Sequence, residues 1–529
     1  MTIARSSLLT VLLLVPELVC AEAFRSNTPE SLRAAIEDLR ARHGDRYRGA
    51  EGYLQRIERV GEDFAVLQRE ALLANPALSG KPVLFVERAQ YRFDHHNTET
   101  MFQTGEISSR NYRPGGPLNV LDLATGEVRV IVDPGPEGGV RDPEVRPDGK
   151  RIVFSMRRGA GDNYHIYEVD ADGGNLRQLT SAPGVFDIDP VYLPDGGIVF
   201  TSSREPKYCG CNRHIMGNLF RMEADGAHIH QLGRSTLFEG HSAVMPDGRV
   251  LYVRWEYVDR NFGDAQGLWT MNPDGTNHAV FWGNNTSSPG GAIDARIIPG
   301  SGLCLCIFTS CHDHPWGAWA IIDRQRAVDG KRSVVRTWPA DAIELVDRAG
   351  IDGFKRVTPK YEDPWPLSET SFLVAREVEP GRKRMGIFLV DTFGNEILVH
   401  AEGPGCFDPM LLAPLQAAAP RPVARDYENR SGTFYVTDVR IGTHMEGVGE
   451  DEIRHLRVVE SPEKRAWTKK AWGGQGQQAP GMNWHNFENK RILGTVPVEK
   501  DGSAYFEVPS DRYVFFQLLD KNGMMIQSM

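Results

Sequence analysis

A strand–turn–strand unit that opens with Asp-Pro recurs along the chain and limits the folds available to it. In its clearest copy, residues 189–204, an apolar segment leads into a Pro-Asp-Gly turn and a second strand. Asp-Gly supplies the positive φ angles that a tight hairpin needs. Successive copies open at Asp142, Asp189, His241, Asp294 and Asp363, with spacings of 47, 52, 53 and 69 residues. Such a repeat, with several strands in each unit, predicts a β-propeller.

The first unit, residues 82–131, contains candidates for strands two to four but no opening strand. An orphan copy of the opening lies near the other end, where Asp408 and Pro409 begin a segment that no complete unit follows. We predict that residues 407–413 form the innermost strand of the first blade. This closure gives six blades and leaves no open sheet edge, which is the feature that exposes β structure to aggregation.

The predicted fold class is mainly β, with a six-bladed β-propeller between an N-terminal helical segment and a C-terminal β-sandwich domain. The predicted boundaries are 24–80 for the helical segment, 81–416 for the propeller, 417–429 for a linker and 430–529 for the sandwich. Thr28 and Pro29 are a capping residue and a first-turn proline, which predicts the start of a helix. Residues 324–360 are expected to be an insertion with helical character at 340–349.

The N-terminus has the pattern of a secretory signal peptide over residues 1–23. Arg5 precedes an apolar run at 8–15, and Ala21-Glu22-Ala23 is an acceptable cleavage site. The apolar run is too short to span a bilayer. A lipid anchor on Cys20 is the alternative, although the preceding valine is larger than such a site prefers. We therefore expect a periplasmic or secreted protein without a transmembrane segment.

The overall charge excludes one class of partner. The net charge is -10 and the isoelectric point is about 5.9. A surface of that sign repels phosphate backbones, which argues against nucleic-acid binding.

Two loops that are expected to follow the second strand of a blade combine cysteine with histidine. The candidate metal ligands are Cys209, Cys211, His214, Cys311, His312 and His314. Thiolate and imidazole are ligands that zinc prefers, so zinc is a possible cofactor. Two structural alternatives remain open, namely disulfides among the cysteines at 209, 211, 311 and 406, and buried thiols at 304 and 306.

Polar and aromatic residues at the same ring position of other blades indicate one binding face. The candidate binding residues are Asp94, His95 and His96 in the first blade, and Arg254, Trp255, Glu256, Tyr257 and Asp259 in the fourth. A further candidate, His485, lies in the loop 460–490 of the sandwich, and loops of that length often bind ligands or partners. Solvated loops would explain the same residues without a ligand.

Several catalytic and cofactor motifs are absent from the sequence. There is no G-x-S-x-G elbow, so a propeller peptidase with a hydrolase domain is not expected. There is no phosphate-binding P-loop, and no G-x-G-x-x-G stands between a strand and a helix. No C-x-x-C-H is present, so this chain does not attach a c-type haem through the usual thioether bonds.

Several motifs together resemble a known family. They are LQREALLANP at 67–76, GNLF at 217–220, RWEY at 254–257, MNPDGTN at 271–277 and LGTVPVE at 493–499. The Pro-Asp-Gly blades are similar to TolB-type propellers, and the longer motifs are similar to hydrazine synthase alpha-subunit-like proteins. The resemblance implies a secreted six-bladed propeller followed by the middle domain of that family.

The resemblance also implies a c-type haem domain after the sandwich. The sequence stops at Met529, where the predicted sandwich ends, so we expect this chain to lack that domain. A c-type haem is then expected only if such a domain follows.

Three functions remain open at this point. The first is a periplasmic or secreted scaffold whose propeller docks a haem-bearing domain or a redox partner protein. The second is a metal- or haem-dependent oxidoreductase of nitrogen compounds, although the chain has no self-sufficient catalytic set. The third is a carbohydrate- or peptide-binding propeller that would use Trp255, Tyr257, Trp316 and Trp319.

Overall fold

A computed structural model describes the chain from residue 27 to residue 528. Some internal residues are outside this description: 60–62, 99, 210–212, 257–265, 443–444, 466, 470–476 and 479–488. The predicted signal peptide, residues 1–23, also lies outside the described residues. Five residues named in the sequence analysis therefore lie outside the described residues: Cys20, Cys211, Tyr257, Asp259 and His485.

In the described part of the chain, three α-helices precede the first strand: α1 (Pro29–His43), α2 (Ala50–Ile57) and α3 (Phe64–Leu73). Helix α1 begins as its sequence predicts, since Thr28 and Ser31 form a reciprocal capping box before the first turn. The apolar face of these helices packs in one core with strands of the last blade, including Leu389 and Ile397. The helical segment is therefore part of the wall of the propeller and not a separate body.

The propeller has six four-stranded antiparallel blades, and the pairing of Gly317 with Tyr361 joins blades 5 and 6 in one eight-stranded sheet. From the innermost strand outward, blade 1 is Cys406–Leu411, Val83–Glu87, Leu118–Leu121 and Val128–Val132; blade 2 is Gly139–Val145, Arg151–Arg157, His165–Asp170 and Arg177–Gln178. Blade 3 is Asp187–Tyr192, Ile198–Tyr208, Ile215–Met222 and His230–Gln231; blade 4 is Glu239–Val244, Val250–Trp255, Gln266–Met271 and Ala279–Trp282. Blade 5 is Gly291–Ile297, Cys304–Thr309, Gly317–Ile322 and Val334–Trp338; blade 6 is Tyr361–Pro366, Ser371–Glu377, Met385–Asp391 and Glu396–His400.

The ring closes by the strand that the sequence predicts. Cys406–Leu411 pairs antiparallel with Val83–Glu87, with Val83 opposite Leu411 and Leu84 opposite Met410. Each innermost strand contacts the innermost strands of both neighbouring blades, and the strand of blade 1 contacts those of blades 2 and 6. The predicted mainly β fold with a six-bladed propeller is confirmed.

The segment 324–360 differs from its prediction. Val334–Trp338 is a strand that pairs with Gly317–Ile322 and completes blade 5, so this part is not an insertion. The segment predicted to be helical contains a 3₁₀ helix at Ala340–Leu345, and another follows at Gly353–Arg356. Trp338 stacks on Trp319 of the neighbouring strand, with ring centroids 3.8 Å apart, and this burial favours the strand.

The C-terminal domain is a β-sandwich. One sheet pairs Ser431–Val436 with Ala504–Pro509, and the other has the order Arg491–Pro497, His455–Glu460, Val514–Leu519 and Met525–Ser528. A short hairpin joins Trp467–Lys469 to Gln477–Gln478. Phe506 packs between Phe434 and Phe516, which places aromatic contacts between the two sheets. The domain boundaries predicted from the sequence stay predictions.

No helix among the described residues is long and apolar enough to cross a membrane.

Candidate functional site

One long loop covers the mouth of the propeller channel. This capping loop, residues 88–117, connects the second and third strands of blade 1. Within it, the backbone N–H of Asn97 donates to the carbonyl of Cys311 in blade 5 at 3.0 Å. Asp94 Oδ2 lies 3.0 Å from His214 Nε2 of blade 3. The capping loop therefore brings its own polar side chains against loops of distant blades.

Three histidines meet where the capping loop crosses blade 5. Each of His95, His96 and His312 offers a ring nitrogen, and these nitrogens all lie within 4.8 Å of one another. The rings of His95 and His96 lie 5.1 and 5.0 Å from that of His312, centroid to centroid. Three imidazolium charges at such distances would repel one another. We name this cluster the histidine triad.

A carboxylate orients one member of the histidine triad. Asp352 lies 3.0 Å from Nδ1 of His312 and accepts a hydrogen bond from its backbone N–H at 3.0 Å. Burial and the neighbouring His96 lower the pKa of His312. Although burial would raise the pKa of Asp352, the hydrogen bonds from His312 lower it overall. Both shifts favour a neutral imidazole beside an ionised carboxylate.

The inner side of the histidine triad is buried and apolar. His96 is 2% exposed and stands edge-on to the fully buried Trp255, with ring centroids 4.7 Å apart. Cys311 is also fully buried, and burial raises the pKa of its thiol, while His96 acts in the opposite direction. Three nitrogen ligands against a closed apolar wall are the donor set of a zinc site that keeps one position open.

The six residues predicted as metal ligands do not converge as one set in the described part of the chain. His312 belongs to the histidine triad, whose other members were predicted as binding residues. His214 lies instead beside Asp94, and His314 lies 3.3 Å from Asp313 and packs on Trp316. Cys209 is buried in the apolar cluster that includes Cys311.

Five cysteines are described, and all of them are buried: Cys209, Cys304, Cys306, Cys311 and Cys406. Those at 304, 306, 311 and 406 are free thiols. Burial raises the pKa of the thiols at 304, 306 and 406 as well. The alternative of a disulfide among residues 209, 211, 311 and 406 stays a prediction, because Cys211 lies outside the described residues. The alternative of buried thiols at 304 and 306 agrees with the structure.

Two of the predicted binding residues of blade 4, Arg254 and Glu256, lie at the contact between the propeller and the sandwich. Arg254 Nε donates to Glu256 Oε2 at 2.9 Å, and the hydroxyl of Tyr513 donates to the same oxygen at 2.8 Å. Arg254 also lies over the rings of Trp269 and Tyr513, at 4.3 and 4.9 Å from their centroids. These buried groups hold two domains together.

The tryptophans considered for carbohydrate binding are not exposed. Trp255 and Trp319 are fully buried, and Trp316 is 5% exposed. A sugar ring stacks on an open aromatic face, and none of these three offers one.

Sequence reasoning missed a second polar centre, in the channel itself. The six residues that open the repeats line one central cavity of about 80 Å³: Asp142, Asp189, His241, Asp294, Asp363 and Asp408. The signal was already present, because these residues were used to find the repeats and were not considered as a chemical group.

Comparisons with known proteins agree with this architecture. The model of the hydrazine synthase alpha subunit middle domain matches residues 451–529. The hydrazine synthase subunit alpha of Kuenenia stuttgartiensis is 21% identical over 519 residues, which cover 79% of this chain and 61% of that protein. The chain thus spans less than two thirds of the length of this relative.

The solved structure of a hydrazine synthase gives the same result for the fold. Kuenenia stuttgartiensis hydrazine synthase superposes with a TM-score of 0.65 at 17% identity, covering 85% of this chain and 66% of that one. TolB from Acinetobacter baumannii has a TM-score of 0.42 at 14% identity, covering 66% of this chain and 72% of that one. From its propeller to its middle domain, the chain is thus similar to the alpha subunit of hydrazine synthase.

Proposed function

We propose that this chain is a metal-binding propeller scaffold of the hydrazine synthase alpha type, which docks a haem-bearing domain or redox partner on its capped face. The histidine triad is the observation that carries the proposal. Three imidazole nitrogens within 4.8 Å of one another, beside a buried tryptophan and a buried thiol, form a donor set that suits a metal ion.

Zinc fits the donor set of the histidine triad. His95, His96 and His312 would supply the three nitrogens, and Asp352 would fix the ring of His312 so that Nε2 faces the metal. A bound zinc ion would supply a Lewis acid with no change of oxidation state. Trp255 and the capping loop would exclude water from the inner side of the site.

The haem is assigned to a separate domain or protein. With no C-x-x-C-H in its 529 residues, the chain has no covalent attachment site for a c-type haem. The relative is named a subunit, which supports an assembly with other chains. Phe93 of the capping loop is 47% exposed, so an apolar side chain projects at the face where we place the partner. Oxidation or reduction of nitrogen compounds would then require that partner.

We also propose export from the cytoplasm, on the basis of the pattern in residues 1–23. Cell fractionation of the full chain, with a second form that starts at Phe24, tests this. We expect the full chain outside the cytoplasm and the shortened form inside it. Equal distribution of the two forms would overturn the proposal of export.

Metal analysis tests the site. The purified chain is stripped with a chelator, returned to zinc and measured by mass spectrometry and by competition with a chromogenic chelator. We expect one zinc ion per chain, with affinity at least tenfold lower in His312→Ala. His230→Ala is the matched control, since this imidazole lies in the outer strand of blade 3. Zinc below stoichiometric amounts in the wild type, or equal affinities in both variants, would contradict the proposal.

Calorimetric titration tests docking with a defined probe, a separately expressed c-type haem segment of the kind that the family resemblance implies after the sandwich. Saturable binding that weakens in Phe93→Ala but not in Leu176→Ala is expected, because Leu176 is similarly exposed, at 43%, but lies beside the outer strand of blade 2. If the haem segment does not bind, docking is wrong while the metal site stands.

A further inference from the structure

The innermost strands of all six blades carry the same irregularity. Their opening residues have φ between 50° and 63°: Asp142, Asp189, His241, Asp294, Asp363 and Asp408. In each strand the pairing with its neighbour shifts register at this point, as in a β-bulge. A positive φ is uncommon for residues other than glycine, and Asp and His are among those that tolerate it. We name these six residues the channel ring.

Hydrogen bonds join members of the channel ring from blade to blade. Asp142 Oδ2 accepts from the backbone N–H of Asp189 at 3.3 Å, and Asp363 Oδ2 accepts from that of Asp408 at 3.0 Å. The carboxylate of Asp189 likewise accepts from the backbone N–H of His241, whose Nδ1 lies 2.7 Å from Asp294 Oδ1. These contacts hold the carboxylates at the channel and fix their spacing.

The cavity around the channel ring has more negative than positive groups. Its lining contains seven carboxylates, three guanidinium groups and the imidazole of His241. Two of the arginines are already paired, Arg141 with Asp142 at 2.7 Å and Arg296 with Glu144 at 2.8 Å. If every carboxyl group is ionised and His241 is protonated, three negative charges are in excess.

The pKa values of two carboxyl groups in the cavity are raised. Burial raises the pKa of Asp189 and that of Asp363 to about 6, and neighbouring carboxylates add to the increase in both. Asp363 faces Asp294, while Arg88 acts in the opposite direction. The group of carboxylates thus binds positive charge, either as protons or as a cation.

Two buried hydroxyls in the cavity lining point to a ligand. Tyr91 of the capping loop and Ser242 of blade 4 are 6% and 7% exposed, and both line the cavity. Neither hydroxyl oxygen has a hydrogen-bond partner among the described residues, and the same is true of Asp408 Oδ2. Buried polar atoms in proteins nearly always have a partner. The hydroxyl oxygens of Tyr91 and Ser242 and the carboxylate oxygen of Asp408 therefore come from residues that line one cavity.

We propose that the channel ring binds a hydrated divalent cation, with Mg²⁺ as the best fit. Among the described residues, the carboxylates of the ring do not converge as closely as the nitrogens of the histidine triad do. Magnesium suits this spacing, because it keeps several waters and takes only one or two carboxylates directly. The cavity of about 80 Å³ has room for such waters, since one ordered water needs at least ~10–15 Å³.

Titration of the full chain after treatment with a chelator tests the proposal. Mg²⁺ is added while calorimetry and thermal unfolding are recorded, and NaCl at matched ionic strength controls for screening. One saturable site and a rise in Tm are expected for the wild type. Binding at least tenfold weaker is expected in Asp363→Asn, whose amide oxygen can still accept from the N–H of Asp408. Asp225→Asn, in an exposed turn of blade 3, should bind as the wild type does.

Two more variants keep the result decisive. Tyr91→Phe removes only a hydroxyl, and it should weaken Mg²⁺ binding even if Asp363→Asn does not fold. His312→Ala should leave Mg²⁺ binding unchanged, which separates the channel ring from the histidine triad. The proposal is overturned if the wild type shows no saturable Mg²⁺ binding, or if folded Asp363→Asn and Tyr91→Phe both bind with wild-type affinity.

Discussion

The backbone N–H of Asp408 donates to the carboxylate of Asp363 across 3.0 Å, and this hydrogen bond joins the last strand of the propeller to blade 6. Asp408 belongs to the strand that pairs with Val83–Glu87. One residue thus contributes both to closure of the ring and to the polar centre of the channel. Substitutions in this closing strand should therefore lower the stability of the propeller.

Phe407→Ala should destabilise the closed propeller strongly. Phe407 is fully buried, and the guanidinium of Arg88 lies 3.6 Å from its ring centroid. Truncation of a buried phenylalanine costs about 3–5 kcal/mol. Urea unfolding followed by tryptophan fluorescence measures the loss, with Val66→Ala, 63% exposed on α3, as the control. An unchanged midpoint in Phe407→Ala would contradict the role of this strand in closure.

Asp352→Asn should weaken zinc binding by about 10- to 100-fold, the usual effect of losing a carboxylate that orients a ligand histidine. Asp352 lies 3.0 Å from Nδ1 of His312, so the variant should change affinity without removing a ligand. Competition with a chelator measures the affinity. Asp313→Asn is the control, because Asp313 lies against His314 and not against the histidine triad. Asp352→Glu should restore part of the affinity, which a purely structural role would not predict.

Asp274→Ala should release the linker from blade 4. The Oδ2 of Asp274 accepts from the backbone N–H groups of Ala424 at 2.6 Å and of Arg425 at 3.0 Å. Hydrogen bonds to a charged group contribute about 1.5–3 kcal/mol. Limited trypsin digestion should therefore cut faster at Arg425 in this variant, while Asp426→Ala should digest as the wild type does. Equal rates in all three proteins would show that the linker is held elsewhere.

The contribution of Asp274 should depend on pH in a defined direction. Burial raises the pKa of this carboxyl, but hydrogen bonds from Thr276, Ala424 and Arg425 outweigh it, so the pKa is lowered overall. A lowered pKa in the folded state gives a stabilisation that is present above the unfolded value, about 3.9, and is lost as the pH falls through the folded value. The Tm difference between wild type and Asp274→Ala should therefore be constant from about pH 5 to 8 and shrink below about pH 4.

Tyr513→Phe should loosen the sandwich on the propeller. The variant loses the hydrogen bond from the tyrosine hydroxyl to Glu256 at 2.8 Å, and it leaves this buried carboxylate with Arg254 alone. We expect a loss of about 1–3 kcal/mol, the cost of an unsatisfied buried group. Scanning calorimetry should show the transition of the sandwich at a lower temperature. Tyr505→Phe, 71% exposed, is the control, and an equal effect in both variants would contradict the interface.

The propeller could be predicted because its signals are local. Each Asp-Gly turn restricts a few φ angles, and the copies recur at a nearly constant spacing, so the repeat is visible without knowledge of any contact. The closing strand followed from the same signal, since Asp408 is a copy of the opening with no blade after it. The outer strand of blade 5 was harder to predict. Val334–Trp338 is stabilised as a strand by the burial of Trp338 against Trp319, which is a contact that the local sequence does not show.

The histidine triad could not be assembled from the sequence. His96 and His312 are separated by more than 200 residues, and they meet only because the capping loop crosses the channel mouth. The strand pattern predicts that both loops lie on one face, but it does not tell how far a loop reaches. Cysteine and histidine within one loop suggested shared ligation instead, whereas His214 and His314 lie beside nearby carboxylates.

The order of strands in blade 1 has a consequence during synthesis of the protein. Val83–Glu87 leaves the ribosome about 320 residues before its partner Cys406–Leu411. At typical rates of translation, ~5–20 residues per second, the inner edge of the first blade stays unpaired for roughly 15 to 65 s. An unpaired strand edge invites association with other chains. Newly made molecules are therefore most vulnerable to aggregation in this interval, and a chaperone that covers one short edge would protect them.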